Sequence, residues 1–292
     1  MPGHRAPTFA IVASLAFLGC EGAPFNESKI SVPNRVVSGQ VQFDGREQAE
    51  DVYIWFQGFN LSTRSDFDGH FEFVLPPPAL QGAAGGITGV FNIYYYTANF
   101  HIDSTEVALI QGNFVEPRGE LNSDGKLNLP KVLRQRLKVK TTVQPTCVVR
   151  DAIVVTEGKT DFLMKIEVSL SAARDSVVVE FPREVDQVRG PLIFRNVETG
   201  DFKVLSSTIT EFVTSDRDTI DSVPTVRTLA LPLFPDDLSP GQYEVIPYIL
   251  LDDVRYPAGL IESLGPDIVE LGEGYLSLPF LRQGAARIFT VQ

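Results

Sequence analysis

Histidine, cysteine and tryptophan are nearly absent from this chain of 292 residues, which has three, two and one of them. No His-x3-His or Cys-x2-Cys spacing exists, so the usual zinc ligand sets are excluded. Beyond the N-terminal region only His70 and His101 remain, both in strand-like context, and a serine nucleophile would lack a base. The G-x-S-x-G elbow and the P-loop are missing too. No catalytic residue, metal ligand or cofactor is assigned, and the chain reads as non-enzymatic. Basic residues are in deficit, 25 against 37 acidic, for a net charge of −12. With no basic cluster interrupting that acidic surface, nucleic acid is excluded as a partner. What is plentiful is valine, punctuated by 23 Gly and 20 Pro, the signature of many short strands. The predicted fold class is all-β.

The one long apolar run is "FAIVASLAFLG", Phe9 to Gly19, eleven residues behind His4 and Arg5. It fits the hydrophobic region of a signal peptide and is too short to span a bilayer. It ends in "FLGC", which resembles the lipobox of bacterial lipoproteins. That resemblance implies a signal peptide over residues 1–19, lipidation at Cys20, and a membrane partner reached through N-terminal acyl chains. Each buried methylene of such chains contributes about 0.8 kcal/mol. Glu21 comes after the cysteine, and similarity to enterobacterial sorting then implies the outer membrane of the cell envelope. With Cys20 acylated, Cys147 is left without an intrachain partner; in the strand-like "TCVVRDAIVV" it reads as a small buried hydrophobe. Residues 20–35, polar with Pro24 and Pro33, read as a tether.

From Val36 to Pro76 short strands alternate with tight turns. Val37, Gly39 and Val41 lead to Asp44-Gly45. Val52, Ile54 and Phe56 alternate with Tyr53, Trp55 and Gln57, and Asp68-Gly69 then leads into Phe71, Phe73 and Leu75. The stretch "SDFDGHFEF" poses a choice between a cation loop, a carboxylate pair and a turn. A calcium loop needs a bidentate acid at its twelfth position, and counting from Asp66 that position is Pro77. A turn explains every residue: Asp66 caps backbone N–H groups and Gly69 takes positive φ.

The order G-x-V, D-G, V-x-I-x-F, then S-D-x-D-G-x-F-x-F-x-L-P resembles the carboxypeptidase regulatory-like domain, a small transthyretin-like β-sandwich. The resemblance implies such a sandwich over residues 36–144. "ALQGAAGGITG" reads as an inserted flexible loop, and "LNSDGKLNLP" echoes the earlier Asp-Gly turn. "RLKVKTTV", Arg136 to Val143, is read as the final strand of that unit. Residues 145–292 repeat the pattern with "FLMKIEVSL", "SVVVEF", "LIFRNV", "FKVLSS", "VRTLALPL", "YEVIPYILL" and "ARIFTV", which predicts a second, immunoglobulin-like sandwich.

Aromatic residues supply the candidate site. Tyr53 and Trp55 point opposite to the core residues of their strand, and Tyr94 and Tyr96 point opposite to Phe91, Ile93 and Tyr95. Outward aromatics either pack on another part of the chain, anchor a protein partner, or stack on sugar rings. The resulting reading is a lipid-anchored bacterial surface protein with a structural or protein-binding role; the alternative is a carbohydrate-binding module using Tyr53, Trp55, Tyr94 and Tyr96.

Overall fold

The computed structural model describes residues 35–46, 48–82, 85–115, 120–122, 124–143, 163–184, 192–205, 213–233, 237–252, 255–283 and 288–291. The segment 1–19 expected to be a signal peptide, Cys20, the expected tether up to Asn34, and Cys147 lie outside the described residues. Residues Asn34–Gln292 form one compact unit.

The first part of that unit contains β1 (Val36–Phe43), β2 (Tyr53–Phe56), β3 (Leu61–Arg64), β4 (His70–Val74), β5 (Gly89–Tyr96), β6 (Asp103–Ile110), β7 (Asn113–Phe114) and β8 (Lys131–Leu133). Alternation does what the sequence predicts in β1 and β4: Val37, Val41, Phe71 and Phe73 are buried and their neighbours are not. One sheet has the order β4-β1-β8, with β4 antiparallel and β8 parallel to β1; the other has the order β3-β2-β5-β6-β7. The two sheets face each other across one core, in which Val41, Phe71 and Phe73 meet Ile54, Phe56, Ile93, Tyr95 and Val107. This is a β-sandwich.

Two of the three Asp-Gly segments, Asp68-Gly69 and Asp124-Gly125, belong to turns of one design. Asp66 accepts hydrogen bonds at Oδ1 from Asp68 N (3.0 Å) and His70 N (2.8 Å), while its backbone N–H donates to His70 O (2.9 Å). Asn122 repeats this, accepting from Asp124 N (2.9 Å) and Lys126 N (3.0 Å) and donating to Lys126 O (2.9 Å). Gly69 (φ +80°) and Gly125 (φ +76°) close the two turns against β1. A Cβ at either would lie 2.1 Å from Val41 O or 2.2 Å from Val36 O, so only glycine fits. The Asp66 carboxylate is consumed by backbone donors, as the turn reading requires.

The Gly-rich loop is better held than its composition suggests. Gln81 is buried and donates to Pro76 O (2.8 Å) and Gly112 O (3.2 Å), while its Oε1 accepts from Ile87 N (3.2 Å).

The second part contains β9 (Leu137–Val143), β10 (Leu163–Ala172), β11 (Val177–Glu184), β12 (Leu192–Asn196), β13 (Phe202–Leu205), β14 (Val213–Ile220), β15 (Thr225–Pro232), β16 (Gly241–Pro247), β17 (Leu250–Leu251) and β18 (Ile288–Val291). They form sheets of order β15-β10-β9, β14-β11-β17 and β13-β12-β16-β18. Val139, Ile166, Val168, Val179, Phe194 and Val245 meet in their shared core. The strand at 136–143, expected to end the first unit, instead pairs antiparallel with β10, Val139 opposite Leu170 and Val143 opposite Ile166. Its period-two pattern fits a half-buried strand in either sheet, and only the pairing partner decides which. The fold is all-β; among the described residues the α-helices, α1 (Leu260–Leu264) and α2 (Glu273–Leu276), are each about one turn long. Among the described residues no helix is long and apolar enough to cross a membrane.

Candidate functional site

The four aromatics share one face of each strand, as their spacing predicts, and the β2–β5 pairing brings the two pairs together. Tyr53 lies opposite Tyr96 and Trp55 opposite Tyr94 across the β2–β5 pair. Trp55 and Tyr94 stack with ring centroids 5.9 Å apart and planes inclined by 21°. They do not, however, form an open binding face. Tyr53, Trp55 and Tyr96 are buried, at 5%, 5% and 1% exposure, and Tyr94 is half-buried. The burial corrects the expectation of a solvent-facing aromatic surface, and its physical reason is a cover laid over the sheet by the C-terminal part of the chain.

That cover is the segment 256–280. Leu260, Ile268, Tyr275 and Leu278 join Tyr53, Trp55, Tyr96, Ile193 and Ile246 in a third buried cluster. β2 is therefore buried on both faces, with Ile54 and Phe56 in the first core and Tyr53 and Trp55 under the cover. β12 behaves likewise, Phe194 pointing into the second core and Ile193 into the third. The aromatics are thus the joint between the two parts of the unit.

Directional contacts fix the joint. Tyr53 Oη donates to Ser263 O (2.9 Å), and Arg64 Nη2 donates to Ser277 O (2.5 Å). The Tyr96 ring meets Tyr256 edge-on at 5.7 Å. Burial, and then the proximity of Tyr256, pushes the Tyr96 phenol well above its ordinary value, so it stays neutral. Tyr275, fully buried, donates to Ile249 O (3.0 Å) and accepts from Ile249 N (3.0 Å). Tyr248 packs against it at 4.7 Å, and its phenol is pushed up to about 12, chiefly by burial.

Asn99 is the polar counterpart of this seam. Fully buried, it donates from Nδ2 to Leu137 O and Leu281 O (both 2.9 Å) and accepts at Oδ1 from Leu281 N (3.0 Å). Its own carbonyl accepts from Arg136 N (3.0 Å). One side chain thereby ties the first part, the start of β9 and the C-terminal segment. Sequence reasoning passed over both the cover and Asn99. The available signal was negative: "YPAGLIESLGPDIVELGEGYLSLPF" has no period-two alternation, and its Leu and Ile are spaced for short helical turns.

A cleft of about 710 Å³ opens beside the seam. Arg46, Arg195 and Arg282 line it together with Glu50, Asp51 and Glu244 and with apolar residues that include Phe43 and Leu278. Arg195 pairs with the buried Glu244, and Asp51 pairs with Arg64 at 2.6 Å rather than facing the cleft alone. The cations and carboxylates offset one another, and the arrangement favours no single ligand charge. His70 and His101 are exposed and lie apart from it, on β4 and before β6. Among the described residues no group of three or more His, Cys, Asp or Glu is placed to hold a metal ion.

The fold and this seam define an all-β protein of packed sheets. No protein-family model matches the chain, and no curated protein matches it. Among solved structures it is similar to a mutant of the shaft pilin spaA from Lactobacillus rhamnosus GG, with 11% identity, 73% of this chain and 87% of that one covered, and a TM-score of 0.28. It is also similar to BcpA, the major pilin subunit of Bacillus cereus, with 9% identity, coverage of 72% and 62%, and a TM-score of 0.26. Similarity at that level carries no information about function.

Proposed function

We propose that the chain is a non-enzymatic bacterial cell-envelope lipoprotein with a structural or protein-binding role. Acylation at Cys20 holds it to the outer membrane, and its ectodomain begins with a carboxypeptidase regulatory-like sandwich and continues with an immunoglobulin-like one. The observation that carries the reading is the apolar run Phe9 to Gly19 ending at Cys20, shortly before a compact all-β unit that starts at Asn34. The buried seam supports the structural half of it. A protein that uses its only tryptophan and its aromatic face to join its own two parts is built to hold a fixed shape. The same burial leaves the carbohydrate-binding alternative without an accessible aromatic platform.

Expression of the parent and Cys20→Ala chains in a bacterial host tests this. The parent should stay with membranes washed in 1 M salt and show by mass spectrometry an acylated Cys20 as its N-terminus, while the variant should be released by that wash. A parent whose N-terminus is unmodified, or is cleaved elsewhere, removes the anchor.

A further inference from the structure

The acidic surface has an exception that no run of basic residues announces. "RQRLKVK", Arg134 to Lys140, places Arg134, Arg136, Lys138 and Lys140 at alternate positions. The intervening Leu137 and Val139 are buried in the second core, so Lys138 and Lys140 stand exposed on the outer face of β9. Alternate residues of a strand are about 6.8 Å apart along it. Their cross-strand neighbours on β10 are Ser171 and Ser169, which bring hydroxyls and no carboxylate. Among the described residues no ion pair involves Arg134, Lys138 or Lys140.

The row widens at the start of β9. Arg134 O accepts from His101 N (2.9 Å) and Arg136 O from Ala173 N (2.8 Å), which draws Arg174 alongside. His101 registers the crowding: after its own burial, Arg136, Arg134 and Arg174 depress its pKa, with Asp175 opposing. Asp175 and Asp221 lie at the margins, Glu167 stands on the same face of β10 two residues beyond Ser169, and Asp44 pairs with Arg174 at 3.3 Å. On the same face Val226, next to Ser169 on β15, is 55% exposed, and Val223, in the turn that precedes β15, is 74% exposed.

We infer that the outer face of β9, β10 and β15, led by Lys138, Lys140 and the adjoining Arg134, Arg136 and Arg174, docks on an anionic phospholipid surface. Cations set about 7 Å apart on a sheet, flanked by hydroxyls and projecting valines, match a layer of phosphates over an apolar interior. A purely ionic polymer would gain nothing from the valines.

Reach permits the contact. Fifteen residue steps separate Cys20 from Arg35 and extend to at most about 50 Å. β1 carries the chain about 23 Å from Val36 to Phe43, beside which the basic row begins. Only this reach depends on the anchored reading, and the vesicle experiment is made without the anchor.

The full chain carrying Cys20→Ala is sedimented with phosphatidylcholine vesicles and with vesicles containing about 30% phosphatidylglycerol. Neutral vesicles control for the apolar run at residues 9–19. The chain should prefer the anionic vesicles, and 1 M salt, which shortens the Debye length to about 3 Å, should abolish the preference. Lys138→Gln with Lys140→Gln should weaken partitioning about 25-fold, at about fivefold per cation. Lys138→Arg with Lys140→Arg should retain it, and Arg134→Gln with Arg174→Gln should weaken it independently of any fault in β9. Equal binding to both vesicles, a preference unmoved by the glutamine pair, or retention on dextran sulfate beads with none on vesicles would each overturn the inference.

Discussion

Trp55→Ala separates a core from a binding surface in one measurement. An exposed aromatic platform loses little stability when truncated, typically within about 0.5 kcal/mol. Trp55 is 5% exposed, stacked on Tyr94 and enclosed with Leu260, Ile268 and Tyr275. A tryptophan buries about 150–250 Å². At about 25 cal/mol/Å² that amounts to roughly 4–6 kcal/mol, part of which alanine and collapse of the site recover. Large-to-small changes of this type cost about 3–5 kcal/mol, and that is the expected loss. Urea unfolding followed by circular dichroism suits both proteins, because the variant has no tryptophan left. With a slope of about 3 kcal/mol/M, the midpoint should fall by roughly 1–1.7 M. In the parent, Trp55 is the sole tryptophan, so its emission should begin blue-shifted and move to the red as the seam opens. A loss below about 1 kcal/mol, or emission already typical of a solvated indole, would refute the seam.

Asn99→Ala should cost about 1–3 kcal/mol by thermal or urea unfolding, because it removes the side-chain partner of Leu137 O and of the part-buried Leu281 O and N–H. Gly69→Ala and Gly125→Ala should each destabilise by more than about 2 kcal/mol, whereas Gly45→Ala, whose Cβ meets nothing within 4 Å, should cost less in the same assay. For Glu120, burial opposes ionisation, but the Thr105 hydroxyl (2.6 Å) and the Lys131 ammonium (2.9 Å) hold its pKa below the ordinary carboxylate range. A depressed folded value means that its stabilisation is present above the unfolded pKa of about 4.3 and is lost as pH falls through the folded value. Glu120→Gln should therefore lose under about 1 kcal/mol at neutral pH, since the carboxylate is half exposed, and the difference from the parent should close in acid. A difference that grows on acidification would contradict the assignment.

Where a strand buries one face, its sequence and its structure agree. β1 and β4 alternate as expected, because a period-two pattern and a single apolar face carry the same information. The Asp-Gly turns were equally legible, and Asn122 repeats the hydrogen bonds of Asp66 because the same local chemistry closes the same loop. β2 shows the limit. Its four residues are all buried, so the alternation that separates Tyr53 and Trp55 from Ile54 and Phe56 separates two cores, not core from solvent. The same limit hid the basic row, since Lys138 and Lys140 alternate with core residues and never form a run.

The amino-acid sequence by itself therefore determined the all-β class, the local turns, and the placing of Tyr53 with Trp55 and of Tyr94 with Tyr96 on one face of their own strands, because these depend on residues two to five apart. Only the tertiary structure decided that residues 256–280 cover that face, that β9 joins β10, and that Asn99 binds both Leu137 and Leu281. Those contacts link residues separated by up to about two hundred positions, and nothing in a local pattern of polarity specifies which distant surface will bury it.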